Sequence, residues 1–386
     1  MIRTALTMIV GDRPRFIGMI CGLGFASLLM TLQGGIYLGV MSLVYGHVSD
    51  TPQAQVWVCD PGMPEFDTTE SIHERELDNV RAVSGVRWAV PLDRRALLAR
   101  LPGGQLSTVV VIGVDDATLI GAPLPTAMLT GSSADLRRSD AVVIDQRSAE
   151  SKLRVPCADG TSRPLRIGDH LLLSGRQVTV AGFCRSTPSI NLWPTVYMLR
   201  SRSSALDPGN GDGCNFILVG LDTGADATAV CTAISTATGL GAYPREEFCQ
   251  RTYDFYLRET GIPINFGIAV LLGFLVGAAI AGQTFSQFVT DNRRIFATLK
   301  AMGMYNRRLA AMLIVQALAM AGVGFGLGAG AATVIGSALD GTDLACRLQP
   351  ALLLQSFIAV LAISLVAALL SLRSVMRVDP ALVFRS

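Results

Sequence analysis

Four long stretches of the chain contain no Asp, Glu, Lys or Arg. They span residues 16–46, 261–290, 309–339 and 348–372, and each has at least 25 residues. A helix needs roughly 20 apolar residues to cross the hydrocarbon core of a bilayer. We therefore expect four transmembrane helices, at about 17–41, 264–288, 310–338 and 350–372. The first stretch is longer than the apolar core of a signal peptide, so we interpret it as a spanning helix.

The composition argues against two broad classes of protein. Half of the 386 residues are apolar and 16% are charged, whereas soluble proteins carry about 25% charged residues. An ordinary soluble enzyme is therefore excluded. The net charge of only +2 also argues against a strongly basic nucleic-acid-binding protein, which needs many cations to contact phosphates.

The charges beside the four stretches predict their orientation, because Lys and Arg are enriched in the short cytoplasmic flanks of membrane helices. The flanks before the first stretch, between the second and third, and after the fourth together hold eleven basic and three acidic residues. We expect both termini and the 291–308 loop in the cytoplasm. Residues 47–260 would then lie outside it.

Residues 47–260 have the charge content of a soluble domain, with 20 basic and 25 acidic residues. Helical patterns alternate with a short predicted strand at 88–91 and with β-branched runs such as 107–115 and 141–145. The expected fold class is an α-helical membrane protein with four transmembrane helices. A large α+β extracytoplasmic domain is inserted between helices 1 and 2, with a β-rich insert at about 141–200. Residues 1–46 and 261–386 form the membrane part.

Six of the eight cysteines lie in this domain. Cysteines concentrated outside the cytoplasm suggest disulfides, whereas buried free thiols are the alternative. Pairing of residues 157 with 184, or of 231 with 249, would close loops of reasonable length. No C-x-x-C spacing occurs and the three histidines are isolated, so we expect no metal site. The candidate disulfide cysteines are Cys59, Cys157, Cys184, Cys214, Cys231 and Cys249.

No catalytic constellation is recognisable. The two lysines, Lys152 and Lys300, follow Ser151 and Leu299, so neither completes the G-x-x-x-x-G-K-[ST] loop that binds nucleotide phosphates. No Asp, Glu, Lys, Arg or His lies within the four stretches, which argues against an ion-coupled carrier. We expect a non-catalytic membrane subunit with no cofactor of its own.

The 291–308 segment combines basic residues with apolar residues at helical spacing. One interpretation is a basic loop that only satisfies the orientation rule. The other is a helix, ended by a glycine, that docks on a cytoplasmic partner. The candidate docking residues are Arg293, Arg294, Ile295, Phe296, Leu299, Lys300, Met302, Gly303 and Met304.

Glycines in two of the stretches are expected to let helices approach closely in lipid, where van der Waals packing drives association. They are Gly273 and Gly277 in the second stretch and Gly322, Gly326 and Gly330 in the third. Residues 253–259, which precede the second stretch, are expected to continue that helix outward as a stalk, with an interruption near Gly261 and Pro263.

Two segments resemble motifs of one family. Residues 297–304, ATLKAMGM, are similar to the cytoplasmic loop of FtsX/MacB-type ABC permeases, and most similar to its DevC-like branch. The tail, with Arg373 and the run RVDPA at 377–381, resembles the closing motif of that family. Residues 167–182 resemble the β-rich part of MacB-like periplasmic domains. Ile295 departs from the pattern, because the family usually has Glu there.

The resemblance implies a homodimeric permease in the lipid bilayer of a bacterial inner membrane, bound to separate ABC ATPase subunits that hold ATP and Mg. In DevC-like exporters a periplasmic adaptor (a membrane fusion protein) and an outer-membrane channel complete the efflux path. Relatives of the same topology release lipoproteins, and FtsX-like regulators activate a cell-wall hydrolase without transport. The length of the 47–260 domain favours export, because the domain of such regulators is typically shorter.

Overall fold

The computed structural model describes residues 13–68, 70–157, 160–206, 213–339 and 346–376. Contacts divide the chain into two units, one of Met1–Val40 with Gly261–Ser386 and one of Met41–Thr260. The helices are α1 Arg13–Leu43, α2 Gly46–Ser49, α3 Arg75–Arg81, α4 Gln146–Glu150, α5 Arg200–Leu206, α6 Ala227–Thr238, α7 Arg245–Glu259, α8 Ile262–Asp291, α9 Arg293–Ala301, α10 Asn306–Leu339 and α11 Pro350–Met376. The strands are β1 Val56–Cys59, β2 Val86–Arg100, β3 Leu106–Val114, β4 Met128–Thr130, β5 Ala141–Asp145, β6 Val155–Pro156, β7 Ser162–Arg163, β8 His170–Leu173, β9 Arg176–Cys184, β10 Thr195–Leu199, β11 Phe216–Leu221 and β12 Gly241–Pro244.

Among the described residues, four helices are long and apolar enough to cross a membrane. Their apolar segments are Phe16–Leu43 of α1, Ile262–Asp291 of α8, Asn306–Leu339 of α10 and Pro350–Leu372 of α11. Each segment contains one of the stretches without charge, so the prediction of four transmembrane helices is confirmed. A large domain of mixed α and β structure lies between the first span and the other three, as the sequence predicts.

Glycines permit the close packing of α1 against α8. A Cβ atom at Gly277 would lie 2.3 Å from the Cβ of Ala26, and one at Gly273 would lie 3.0 Å from the Cβ of Leu29. The distance at Gly277 is shorter than side-chain contacts allow, whereas at Gly273 a Cβ would fit only if Leu29 moved by a few tenths of an ångström. Both residues therefore permit the close approach of α1 and α8 within this chain.

On α10 the packing glycines differ from those expected. A Cβ at Gly324 would lie 2.7 Å from the Cβ of Leu23, and one at Gly328 would lie 2.3 Å from the carbonyl oxygen of Gly24. The expected glycines Gly322, Gly326 and Gly330 have no atom within 4 Å of such a Cβ. The prediction for these three is wrong within this chain, because the face of α10 that meets α1 lies two residues away from them.

Strand β2 connects the two halves of the domain. Its first half pairs with β11, and its second half, from Asp93 to Arg100, pairs with β3. The strand carries a run of three charges, which are buried in ion pairs. Asp93 contacts Arg95 at 3.4 Å and Arg200 at 3.3 Å, and Arg94 pairs with Asp67. Charge compensation of this kind permits burial that would otherwise be costly.

The second half of β2 belongs to a closed barrel. The pairings β2–β3, β3–β10, β10–β5, β5–β9, β9–β8 and β8–β2 return to the first strand. One core cluster consists of inward side chains from these strands, such as Leu97, Val109, Val142, Val178 and Val196. Residues 141–200 therefore do not form a sheet of their own, because β2 and β3 supply two of the six barrel strands.

The first half of β2 belongs to an antiparallel sheet in the order β12–β1–β11–β2. One face of this sheet packs on α3 and α6 through residues such as Leu77 and Ile234. The other face packs on α2 and α7 through Trp57, Phe216 and Phe248. The sheet thus has a buried apolar layer on each face, in addition to the barrel core, and α7 closes one of these layers.

The structure contains no disulfide, because all eight cysteines are free thiols. Cys59 and Cys184 are buried in the core beneath α7, whereas Cys214 and Cys231 are buried on the opposite face of the sheet. Cys249 packs against the first of these cores, and Cys157 lies just after β6. The proposed pairings of Cys157 with Cys184 and of Cys231 with Cys249 are therefore wrong. The buried cysteines act as small apolar side chains, the behaviour typical of free Cys.

Candidate functional site

The 291–308 segment contains a helix, α9, between two tight connections. Asn292 separates α8 from α9, and its side-chain amide donates to the carbonyl of Phe288 at 2.9 Å. At the other end, Gly303 has a φ of +89°. The amides of Gly303 and Met304 donate to the carbonyls of Lys300 and Leu299, at 2.9 and 3.0 Å. These two bonds form a Schellman motif, which requires a left-handed residue at the glycine position.

One side of α9 packs into the core of the membrane unit. Phe296 and Ala297 are fully buried there, and Leu299 and Met304 pack against the same cluster. The contact between residues at the positions of Leu299 and Met304 commonly accompanies a Schellman motif. Three residues that the sequence placed on a docking surface, Phe296, Leu299 and Met304, therefore hold α9 in place instead.

The other side of α9 is exposed and partly apolar. Ile295 is 45% exposed and Met302 is 70% exposed, and the two lie two helical turns apart. Arg294, Thr298 and Ala301 are exposed on the same side. Tyr305, in the turn after the helix, is 74% exposed. Sequence reasoning missed Tyr305 because the helical pattern stops at Gly303.

The charge around this surface is basic. Arg294, Arg307 and Arg308 are exposed, whereas Lys300 is partly buried. Asp291 is the acidic residue of the segment. The side chain of Arg293 lies outside the described part of the structure, as does the tail motif at 377–381. The exposed surface of α9, defined by Arg294, Ile295, Met302 and Tyr305, is called the coupling surface below.

A second cluster lies in the Met41–Thr260 unit, where it holds α7 against the sheet. The hydroxyl of Tyr256 donates to Asp67, and Glu65 is a second acceptor. Asp67 in turn pairs with Arg94 of β2, whose own backbone amide donates to the side chain of Asn215 at 2.8 Å. Burial, together with the nearby carboxylates of Asp67 and Glu65, raises the pKa of the Tyr256 hydroxyl. The hydroxyl therefore stays protonated and acts as a donor.

His47 of α2 lies beside this cluster. Its ring contacts Phe66 edge-on, with 5.3 Å between centroids, and neither ring nitrogen has a hydrogen-bond partner among the described residues. Burial, with the charge of Arg94 as a smaller cause, lowers the pKa of His47 to about 3. The imidazole is therefore neutral in the folded domain.

The segment predicted as a stalk, 253–259, is the last part of α7. Phe248, Thr252 and Tyr256 form its buried side. The helix ends at Glu259, and Thr260 has an extended backbone with a φ of −111° and a ψ of 154°. A break in the helix therefore precedes α8, close to the predicted position at Gly261 and Pro263.

Two family models match the chain. The model of the MacB-like periplasmic core domain matches residues 16–237, and the model of the FtsX-like permease C-terminal domain matches residues 267–380. The second match includes α9 and the coupling surface. The comparison with curated proteins finds no significant match.

Two solved structures with similarity to the chain are of extracytoplasmic domains. One is the extracellular domain of the noncanonic ABC-type transporter YknZ from Gram-positive bacteria, with 14% identity, a TM-score of 0.34, and coverage of 48% of this chain and 92% of that one. Another is the periplasmic region of MacB from Actinobacillus actinomycetemcomitans, with 13% identity, a TM-score of 0.39, and coverage of 54% and 96%.

Proposed function

Since the chain belongs to the family of membrane permeases that join a MacB-like periplasmic core domain to an FtsX-like C-terminal domain, we propose that it is the permease subunit of an ABC exporter. Permeases of this family typically work with an ABC ATPase. In this proposal a separate ATPase hydrolyses ATP with Mg, and the permease converts the resulting movement into substrate efflux. The same proposal assigns the permease to the DevC-like branch of the family.

The coupling surface is the observation that carries the proposal. Phe296 and Ala297 anchor α9 in the core of the spans, so a force on the exposed side of α9 would reach the spans with little loss. Ile295, Met302 and Tyr305 offer apolar area for a partner. Exposed arginines around them suit an acidic groove on the ATPase, since opposite charges across an interface favour association.

The proposal also gives the orientation of the permease in the membrane, because the ATPase would bind the coupling surface. The coupling surface would face the cytoplasm, where ATP is available, which agrees with the excess of basic residues beside the spans. Both termini would then also be cytoplasmic, in a bacterial inner membrane. Residues 47–260 would work on the opposite side, together with an adaptor and an outer-membrane channel, and the permease would act as a homodimer.

The exporter proposal predicts that a negative charge introduced on the coupling surface prevents the ATPase from binding. We expect Met302→Asp and Ile295→Asp each to reduce the amount of ATPase that co-purifies with the permease at least tenfold. Asn306→Asp is the matched control, because it adds the same charge at an exposed polar position nearby. Leu299→Asp is unsuitable, since Leu299 packs inward.

Retention of the ATPase by both coupling-surface variants at the wild-type level would contradict the proposal. The competing regulatory role predicts another outcome. A regulator of a cell-wall hydrolase would still bind an ATPase through α9, but accumulation of exported compounds in a deletion strain would be absent.

A further inference from the structure

A cleft of about 310 Å³ lies beside the segment that connects β3 to β4. Gln53, which follows α2, lies on one wall, and residues between 118 and 133 form the rest of the lining. Half of the lining residues are apolar, and none is Asp, Glu, Lys or Arg. Sites for small molecules are typically clefts of about 300–1,000 Å³ with apolar walls and a few polar groups. The cleft therefore has the size and the lining of a site for a small uncharged molecule.

The side-chain amide of Gln53 has no partner in the fold. Its Oε1 atom is buried, and the amide makes no hydrogen bond within the described residues. Buried polar atoms in native proteins nearly always have a partner, because an unpaired one loses its bonds to water without compensation. A ligand that donates an N–H to Oε1 would supply the missing partner.

Other polar groups of the lining are already bonded within the protein. The hydroxyl of Thr118 donates to the carboxylate of Asp115 at 2.7 Å. The hydroxyl of Ser133 donates to the carbonyl of Pro123 at 2.6 Å. These two bonds hold the walls in place, so the amide of Gln53 is the group that remains to select a ligand.

The walls are formed in the absence of a ligand, and one of them is strained. Leu119 has a φ of +60°, which is rare for a residue with a bulky side chain. Its amide donates to the carbonyl of Asp115 at 2.9 Å, and its carbonyl accepts from the amide of Ala122 at 3.1 Å. Strained residues of this kind cluster at ligand sites. A wall that is already ordered also reduces the cost of binding.

The chemistry of the amide indicates the kind of ligand. A primary amide presents a donor and an acceptor side by side in one plane. A lactam presents its N–H and its C=O on the same side of the ring, so both can pair with Gln53 at once. In an ordinary trans amide these two groups point in opposite directions. A charged ligand is disfavoured, because the lining offers no opposite charge to compensate its desolvation.

We propose that this cleft, called the amide cleft, binds a small uncharged lactam. The lactam N–H donates to Oε1 of Gln53, and Nε2 of Gln53 donates to the lactam C=O. The apolar part of the ligand packs on Leu119, Pro125 and Met128. Every lining residue belongs to the Met41–Thr260 unit, so binding does not require the ATPase and does not depend on the exporter function.

The test titrates the full-length permease in nanodiscs with the cyclic dipeptide cyclo(Leu-Pro) by isothermal titration calorimetry. This probe has one lactam N–H and an apolar side chain, and its N-methyl derivative lacks the N–H. We expect the N-methyl derivative to bind the wild type at least tenfold more weakly, a difference of about 1.4 kcal/mol. Gln53→Leu should weaken binding of cyclo(Leu-Pro) by a similar factor.

The variant and the probe together isolate the hydrogen bond. For Gln53→Leu, N-methylation of the probe should cause no further loss, because the acceptor is already absent. The melting temperature of Gln53→Leu should equal or exceed that of the wild type, since the variant removes a buried oxygen without a partner. Gln105→Leu is the matched control, because Gln105 is exposed in the turn between β2 and β3, and it should bind as the wild type does.

Three results would each overturn the proposal. They are the absence of cyclo(Leu-Pro) binding to the wild type, equal affinities for the probe and its N-methyl derivative, and an unchanged affinity in Gln53→Leu. Co-purification of the ATPase is measured separately, so none of these results bears on the exporter function.

Discussion

The hydroxyl of Tyr256 lies 3.2 Å from the carboxylate of Asp67. Tyr256 belongs to α7, the helix that precedes the second span, whereas Asp67 is held by Arg94 in the strand that connects the sheet and the barrel. Asp67 thus links the last helix of the domain to its longest strand, through a hydrogen bond on one side and an ion pair on the other. This arrangement would transmit a displacement of α7 to the sheet and the barrel.

Tyr256→Phe should destabilise the Met41–Thr260 unit. The ring keeps its place, but the hydrogen bond to a charged group is lost, which costs about 1.5–3 kcal/mol. For a domain of this size we expect the melting temperature to fall by about 3–10 °C. Tryptophan fluorescence reports on this unit, because its three tryptophans are the only ones in the chain.

Tyr253→Phe provides the control on the same helix. Tyr253 is partly exposed, and its hydroxyl makes no hydrogen bond within the described residues. Equal melting temperatures for the two variants would show that the Tyr256 bond adds nothing to stability.

The packing of α10 on α1 predicts opposite effects for two glycines of one helix. Gly328→Ala places a Cβ against the backbone of Gly24, so the helices must separate at a cost of about 1–3 kcal/mol. Gly326→Ala meets nothing within 4 Å and should be neutral or stabilising by about 0.5–1 kcal/mol, since Ala favours helix. Thermal unfolding in detergent, followed by circular dichroism at 222 nm, measures both. Similar losses for the two variants would contradict this packing.

The transmembrane spans could be predicted from the sequence because the absence of charge is itself the physical requirement for a membrane helix. The faces by which these helices contact one another could not be predicted. Glycines recur every four residues at 322, 326 and 330, and also at 324 and 328. Both sets suit a close helix contact, and only the position of α1 decides between them. Likewise Ile295 and Phe296 are adjacent apolar residues, and one is exposed while the other is buried.

The full length of β2 could not be predicted from the sequence either. Its pattern predicts a strand at 88–91 alone, because the charged run Asp93–Arg94–Arg95 is typical of a loop. The strand continues to Arg100 because Asp67 and Arg200, which are distant in sequence, supply partners for these charges. The barrel depends on that continuation. The closure of the barrel could therefore not be predicted, because it requires ion pairs between residues that are distant in sequence.

The cysteines should remain reduced in the folded protein. Burial raises the pKa of the thiols of Cys59 and Cys214 to about 12, and thiolates are the reactive form. We expect a thiol-specific reagent to find eight thiols per chain after unfolding without reductant. A reducing agent should leave the melting temperature unchanged. Fewer than eight thiols, with a melting temperature that falls under reduction, would restore the disulfide interpretation.

His47 should make the folded domain sensitive to acid. Its pKa is about 3 in the folded state and about 6.5 in an unfolded chain. Between these values the unfolded chain binds the proton and the folded chain does not, so stability falls as the pH decreases below 6.5. Each pH unit in this window removes up to about 1.4 kcal/mol.

His47→Leu should remove this acid sensitivity. The variant loses two ring nitrogens that have no hydrogen-bond partner within the described residues, so its stability at pH 7.5 should equal or exceed that of the wild type. Between pH 7.5 and 5.5 the melting temperature of the wild type should fall by about 3–6 °C more than that of the variant. Other titrating groups, among them the buried Glu65, are common to both proteins and cancel in this difference. His73→Leu, at an exposed position, controls for the loss of an imidazole. Parallel pH profiles for the wild type and His47→Leu would mean that the His47 imidazole is not held neutral by the fold.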